Sequence, residues 1–292
     1  MNKTENGLLE YITKKYSPTS ADNHHRNALR YLIYIGEKAL TATYQDVLGY
    51  IETLRTQALH PKTLRNYLFG VKIYYSYLQE SGERQDHPCR RLYLKDQINR
   101  AIPMETLYSE KQLEELMTEY RSIDKKIQQR NLVVVSLLVY QALNIKEIVN
   151  LQMRDVDLEK GQIFVKESVS LKARTLPLKP NQIMLFYNYI TQYRRQVMEY
   201  FKRETEYFII TKYAGKGNSD TVRRVLKNKT APEGKFTAIK IRQSVIMHLV
   251  KKNDLRIVQV FAGHRRSSGT EAYKQSGFEE LKDDIRKVHP LR

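Results

Sequence analysis

The sequence is nearly devoid of cysteine, since Cys89 is the only one in 292 residues, and it contains no tryptophan. A single thiol can form neither an internal disulfide bond nor a cysteine-rich zinc site, so the fold is not stabilised by either kind of cross-link. This usage is typical of a reducing compartment. No window approaches the roughly 20 consecutive apolar residues that span a bilayer. We therefore expect a cytoplasmic protein without a membrane segment.

Acidic residues are scarce relative to basic ones. The chain has 50 Lys and Arg against 32 Asp and Glu, a formal net charge of +18. Residues 1–103 carry 15 basic and 10 acidic side chains, and residues 104–292 carry 35 and 22. Both halves are basic, so the excess is not confined to a tail. Double-stranded DNA is the partner that this charge favours, with generic affinity for polyanions as the alternative.

The sequence of the first hundred residues predicts helices separated by short turns. Apolar residues recur at helical spacing in "DNHHRNALRYLIYIGEK", "TYQDVLGYIETLRTQ" and "HPKTLRNYLFGVKIYYSYLQESG". Pro61 lies near the start of the last of these helices, and Gly82 lies just past its end. Lys62, Arg65 and Lys72 share the polar face of this helix. They are candidate contacts to the DNA backbone, and an ordinary solvated face is an equally open alternative.

The helical periodicity lapses over residues 95–107, which we interpret as a linker. It resumes with Ser109 and Gln112, which form a capping box before a new helix. We therefore predict two domains, residues 1–98 and residues 105–292. In the second domain a nearly all-apolar helix and the short helix "NIKEIVNL" precede two strands, "GQIFV" and "ARTLPL", and a further strand, "YFIIT", before helices return. The expected fold class is mainly α with a small β-sheet.

The C-terminal part of the chain places an arginine, a histidine and a tyrosine in order. Arg242 lies in a predicted helix that ends near Asn253, a second helix leads to His264, and Tyr273 follows nine positions later. Guanidinium and imidazole groups stabilise the negative charge that develops on phosphate oxygens in a transition state. A tyrosine beside them can act as the nucleophile. For each residue the alternative is an ordinary role in packing, in capping a helix or on the surface.

The pattern "IR", then "LRIVQVFAGH", then a tyrosine resembles the ending of the tyrosine recombinases, the phage-integrase family that includes the Xer-type resolvases. The resemblance covers essentially the whole chain and is most specific over residues 242–290. It implies a helical core-binding domain followed by a catalytic domain. It further implies a site-specific recombinase or integrase that cuts and rejoins DNA through a 3′-phosphotyrosyl bond on Tyr273, without a metal or another cofactor. A C-terminal helix that packs on a neighbouring subunit, and a tetramer in the synapse, are also implied.

The resemblance assigns roles to the other site residues as well. Arg242 and His264 would bind the scissile phosphate. Lys172, in the turn between the two predicted strands, would protonate the leaving 5′-oxygen, and Lys166 competes with it for this role. If the C-terminal helix does not pack on a neighbour, it folds back on its own domain.

Two positions depart from the family pattern. Asn144 stands where the family has its first catalytic arginine, and Ile239 stands where a histidine or lysine is usual. Asn144 can still donate neutral hydrogen bonds to DNA, but these are weaker than charge-assisted ones. Lys172 and Lys240 are the candidates for supplying the missing charge. The departures leave open a catalytically weak or inactive DNA-binding protein of the recombinase fold, and the tyrosine chemistry leaves open a type IB topoisomerase-like enzyme.

Overall fold

The computed structural model describes residues 3–98, 102–227, 229–232 and 234–273. The chain divides into two compact units, Met1–Asn99 and Arg100–Arg292, and the boundary falls inside the linker that the sequence predicts. The expected C-terminal helix lies outside the described residues. Within them, no helix combines the length and the apolar composition needed to cross a membrane.

The described residues of the first unit form four α-helices, α1 (Lys3–Lys15), α2 (Pro18–Ile35), α3 (Tyr44–Arg55) and α4 (Pro61–Glu80), with a short 3-10 helix, Gly36–Leu40, after α2. Pro61 occupies the first turn of α4, and Gly82 follows the helix with a φ of +76°, as the sequence predicts. At Gly70 a Cβ atom would lie 2.6 Å from the Cβ of Asn27, so the glycine lets α2 and α4 pack closely. The core between the helices contains a hydroxyl pair, because Tyr31 Oη lies 2.7 Å from Tyr75 Oη.

The described part of the second unit is mostly helical, and its α-helices up to residue 262 follow in order. They are α5 (Glu110–Thr118), α6 (Gln128–Gln141), α7 (Ile145–Asn150), α8 (Pro180–Asn188), α9 (Arg195–Phe201), α10 (Ser219–Val225), α11 (Ala238–Lys252) and α12 (Leu255–Ala262). The capping box of Ser109 and Gln112 begins α5, as predicted. Helix α6 is buried over most of its length and lies in the core of the unit, with α5, α8, α10 and α11 packed around it.

An antiparallel sheet of three strands accompanies these helices, in the order β1 (Val156–Asp157), β2 (Gln162–Val165) and β3 (Arg174–Pro177). A two-stranded sheet joins β4 (Thr230–Ala231) to β5 (Gly234–Lys235). The fold class, mainly α with a small sheet, is therefore confirmed. The strand expected in "YFIIT" is wrong, because Tyr207 and Ile210 form only isolated bridges, to Gln152 and Lys216. The segment is apolar because it is buried, and it has no continuous strand partner.

Candidate active site

Arg242 is held between the ends of two helices. Thr237 caps α11 by accepting a hydrogen bond from the Lys240 amide, and Arg242 follows in the first turns of this helix. Its Nη1 donates to the carbonyl of Ala142, and its Nη2 donates to that of Ala262, both at 2.6 Å. These carbonyls belong to the C-terminal ends of α6 and α12, where a positive charge is favoured. The guanidinium, with its side chain 12% exposed, is therefore fixed in place.

His264 comes directly after the end of α12. The helix ends at Gly263, whose φ of +70° suits a glycine. The backbone amide of His264 then donates to the carbonyl of Gln259 at 3.0 Å. On the ring, Nδ1 lies 2.9 Å from the hydroxyl of buried Thr270, whereas Nε2 has no hydrogen-bond partner among the described residues. With Thr270 as donor, neutral His264 carries its proton on Nε2 and can donate it to a phosphate oxygen.

Burial is the main reason that the pKa of His264 is lowered to about 4, and the positive charges of Arg242 and Arg174 lower it further. The imidazole is therefore neutral at pH 7. Its contribution to a phosphate site is a hydrogen bond and not a charge. The positive charge of the site has to come from other side chains, and Arg242 and Arg174 are the two whose charges act on His264.

This lowered pKa predicts a pH dependence of stability. Between pH 6.5 and about 4, the unfolded chain binds a proton at His264 that the folded chain does not bind, so the free energy of unfolding falls as the pH falls. His264→Asn removes this part of the dependence. Denaturant unfolding at several pH values from 4.5 to 8 measures it, and a variant whose slope equals that of the wild type would contradict the assignment.

Tyr273 lies beside His264 in the structure. Residues 268–273 are helical, and this helical segment carries the tyrosine into the core, where the residue is 7% exposed. The ring centroids of His264 and Tyr273 are 6.5 Å apart, with an angle of 17° between the ring planes. Burial raises the pKa of the Tyr273 hydroxyl above its ordinary value, and the charge of Arg242 opposes this effect. The hydroxyl is therefore protonated and shielded in this conformation.

Glu147 is a member of the site that sequence reasoning did not identify. Its side chain is 5% exposed, and Oε1 accepts a hydrogen bond from Arg174 Nη1 at 2.7 Å. Its other oxygen, Oε2, lies 3.6 Å from Arg242 Nη1. One buried carboxylate thus faces two guanidinium groups. The pair of arginines keeps an excess of positive charge after this partial neutralisation.

Asn144 forms the N-cap of α7. Its Oδ1 accepts a hydrogen bond from the Glu147 amide at 2.9 Å, and its own amide donates to Glu147 Oε2 at 2.9 Å. This reciprocal capping box gives Asn144 a structural role at the start of the helix. Its contact with DNA stays a prediction. Ile239, the other departure from the family pattern, is 71% exposed on α11.

Arg174 was also missed by sequence reasoning. It lies on β3 opposite Val165, with its side chain only 2% exposed. Its guanidinium rests against Gly263, where a Cβ atom would come within 2.6 Å of Nη1. The sequence did contain a signal, because Arg174 and Leu176 occupy alternate positions of "ARTLPL" and both face inward.

The three lysines considered from the sequence occupy different environments. Lys172 is exposed on the turn between β2 and β3, and its backbone amide donates to the carbonyl of Gly263 at 2.8 Å. Lys166 lies 3.3 Å from Asp155 and also donates to Gln152. Lys240 is half-buried, with Nζ 5.9 Å from the centroid of the Tyr108 ring. Of the three lysines, Lys172 is the one whose backbone is hydrogen-bonded to Gly263, the residue before His264.

The three candidate DNA contacts on α4 differ in whether their side chains already donate hydrogen bonds within the protein. Lys62 is exposed at the start of the helix. Arg65 donates to the carbonyl of Asp96 at 2.5 Å, and Lys72 donates to that of Arg90 at 3.0 Å. The segment that follows α4 thus contacts the face that carries them. Their role in DNA binding stays a prediction.

Comparison with known proteins supplies the class of molecule. The model of the phage integrase family matches residues 107–280, which is more than half of the chain. The chain therefore belongs to the phage integrase family. This confirms the resemblance that the order of Arg242, His264 and Tyr273 suggested.

Individual relatives are similar over nearly their whole length. The chain is 26% identical over 295 residues to the tyrosine recombinase XerC of Oceanobacillus iheyensis, covering 97% of this chain and 94% of that protein. It is 25% identical over 294 residues to the tyrosine recombinase XerA of Pyrococcus furiosus, with coverage of 97% and 94%. The crystal structure of the XerH site-specific recombinase bound to palindromic difH substrate, a post-cleavage complex, has the same fold. It aligns with a TM-score of 0.70 at 15% identity, covering 97% of this chain and 94% of that chain.

Proposed function

We propose that the protein is a site-specific DNA recombinase that cuts and rejoins DNA through a 3′-phosphotyrosyl intermediate on Tyr273. The observation that carries this proposal is the convergence of three elements on one place. Arg242 is fixed between the ends of α6 and α12, His264 follows α12 directly, and the Tyr273 ring lies 6.5 Å from the imidazole. The family to which the chain belongs supports the same reaction.

The reaction is a transesterification, in which one phosphoester bond is broken and another is formed. The Tyr273 oxygen attacks phosphorus, the bond from phosphorus to the 5′-oxygen breaks, and the 3′-phosphate stays on the tyrosine. Arg242 and His264 donate to the non-bridging oxygens, where negative charge grows in the transition state. Lys172 protonates the departing 5′-oxygen. A 5′-hydroxyl of the partner strand then reverses the sequence, so no nucleotide has to be hydrolysed.

The tyrosine has to leave its buried position before it attacks. Burial raises the pKa of the Tyr273 hydroxyl, and Arg242 lowers it. Moving the side chain out towards DNA removes the burial effect and leaves the influence of the cations. The phenolate then forms more readily, as the attack requires. The buried conformation protects the nucleophile until it is moved towards DNA.

DNA is the substrate, and the finer description of the assembly is part of the proposal. The excess of 50 basic over 32 acidic residues favours binding to the phosphate backbone. The first unit serves as a core-binding domain that contacts duplex DNA through Lys62, Arg65 and Lys72, and the second unit is the catalytic domain. Several copies assemble on DNA, with a tetramer in the synapse. A DNA substrate agrees with the cytoplasmic location that the sequence predicts.

The experiment that tests this function begins with duplexes selected from a random pool by binding to the protein. A selected duplex with a nick near the bound centre is incubated with the protein, the mixture is denatured, and covalent protein–DNA adducts are separated on a gel. We expect an adduct, and sequencing of the free end locates the cleaved phosphate. Protein that binds its selected duplex without forming an adduct would be a DNA-binding derivative of the family. Recombinant junctions between two duplexes distinguish a recombinase from a topoisomerase-like enzyme.

A further inference from the structure

Arg174 is a buried guanidinium with two unpaired nitrogens. Its side chain is 2% exposed, and neither Nε nor Nη2 has a hydrogen-bond partner in the part of the chain that the structure describes. Among the described residues it is the only arginine with two such nitrogens. A buried donor without a partner costs free energy, so native structures seldom retain one without a reason. Two on one side chain indicate a ligand that these nitrogens are positioned to bind.

The position of Arg174 shows what kind of ligand this is. The guanidinium rests against Gly263, the residue before His264. Through Glu147 it is linked to Arg242, because the carboxylate accepts from Arg174 at 2.7 Å and lies 3.6 Å from Arg242. Two positive charges and one negative charge are thus collected beside His264. A ligand that pairs with the remaining charge is an anion, and a planar fork of donors fits the oxygens of a phosphate.

We propose that Arg174 is a catalytic residue that supplies the guanidinium absent at position 144, donating through Nε and Nη2 to a non-bridging oxygen of the scissile phosphate. This inference rests on the proposed function and names a further residue for the same site. Asn144 has no charge, and its side-chain oxygen caps α7. Lys240 lies over the Tyr108 ring. Lys172 is exposed on its turn and has the separate role of proton donor. Arg174 is the buried cation with unpaired nitrogens that lies against Gly263.

Access of DNA to Arg174 requires a movement, as the attack by the tyrosine does. Arg174 and Tyr273 are both almost fully buried, with 2% of one side chain and 7% of the other residue exposed. Gly263, which rests against Nη1 of Arg174, and Tyr273 belong to the same stretch of the chain. A phosphate reaches the two unpaired nitrogens only when the packing around Arg174 opens. Arg174 is thus shielded in this conformation, as Tyr273 is.

The test compares covalent adduct formation by wild type, Arg174→Gln and Arg174→Lys on two forms of the selected duplex. One form has an ordinary phosphate at the cleaved position, and the other has a neutral methylphosphonate there. On the ordinary duplex we expect Arg174→Gln to be slower by about a hundredfold, as for the loss of one oxyanion donor. On the methylphosphonate the variant and wild type should differ by less than about threefold, because there is little charge to neutralise.

For each variant, the rate of adduct formation on the ordinary duplex is divided by the rate on the methylphosphonate duplex, with both measured on one protein sample. A loss of folded protein lowers both rates equally, so it does not change this ratio. Arg174→Lys keeps the charge and the partner of Glu147, and it should recover part of the rate on the ordinary duplex. Equal losses on both duplexes would mean that Arg174 only supports the fold and would overturn the inference. Arg194→Gln, at a buried arginine bonded to the carbonyl of Tyr207, is the matched control and should leave the ratio unchanged.

A substitution at position 144 gives an independent arm. If Arg174 already supplies the second guanidinium, Asn144→Arg changes the wild-type rate by less than about threefold, because no donor is missing. An increase of about tenfold or more would show that the site lacks this group and would overturn the inference. Absence of any adduct with wild type would overturn the proposed function, and the role of Arg174 with it. A normal wild-type rate that Arg174→Gln does not change would overturn the inference alone.

Discussion

Replacing Tyr273 by phenylalanine is expected to abolish the covalent protein–DNA adduct and to leave DNA binding intact. The ring and its packing beside His264 survive the change, but the oxygen that attacks phosphorus does not. Adduct formation on the nicked, selected duplex and affinity for the same duplex are the two measurements.

The matched control for this substitution is Tyr193→Phe. Tyr193 is also a buried tyrosine of the second unit, 8% exposed, and its hydroxyl has no hydrogen-bond partner among the residues that the structure describes. Removing that hydroxyl takes away an oxygen from the core without touching the candidate site. We expect a normal yield of adduct from this variant. An adduct persisting at the wild-type level in Tyr273→Phe would exclude Tyr273 as the nucleophile.

Arg242→Ala is expected to reduce the rate of cleavage by about a hundredfold or more, which corresponds to about 2.7 kcal/mol or more in the barrier. The guanidinium is held in position by the carbonyls of Ala142 and Ala262, so it needs no reorganisation when charge develops on the phosphate. An alanine leaves that charge without its donor. Single-turnover cleavage with excess protein measures the effect.

Loss of Arg242 also removes the side-chain donor to two carbonyls and one of the two guanidinium groups that face Glu147, so some loss of stability is expected. Arg194→Ala controls for this. Arg194 is buried in the same unit and donates to the carbonyls of Thr205 and Tyr207, outside the candidate site. We expect this control to be destabilised and yet to cleave at a normal rate per folded molecule. An effect of Arg242→Ala below about threefold would place Arg242 outside the reaction.

Much of the local structure follows from the sequence because its causes are local. The capping box of Ser109 and Gln112 and the proline at the start of α4 each act within one turn of a helix. Arg242, His264 and Tyr273 lie close together in the fold because two regular helices, α11 and α12, connect Arg242 to His264. These features bring the three residues together as the sequence pattern indicates.

The partners of the buried charges depend on contacts between distant parts of the chain. Arg174 and Glu147 are separated by 27 positions and meet only when β3 packs beside the start of α7. The alternation of residues along the strand indicates that Arg174 faces inward, but the sequence does not indicate which carboxylate it pairs with. The strand expected near Tyr207 failed for a related reason. A short apolar run shows that a segment is buried and does not show which neighbour it pairs with.

The most direct test is to identify the amino acid that carries DNA in the trapped adduct. The adduct is digested with nuclease and protease, and the peptide that retains a nucleotide is sequenced by mass spectrometry. The chain contains 21 tyrosines, so the assignment is a demanding one. The expected result is a single modified peptide with the nucleotide on Tyr273, joined through its 3′-phosphate. A nucleotide on any other residue, or a wild-type protein that binds its duplex and never forms an adduct, would contradict the proposed function.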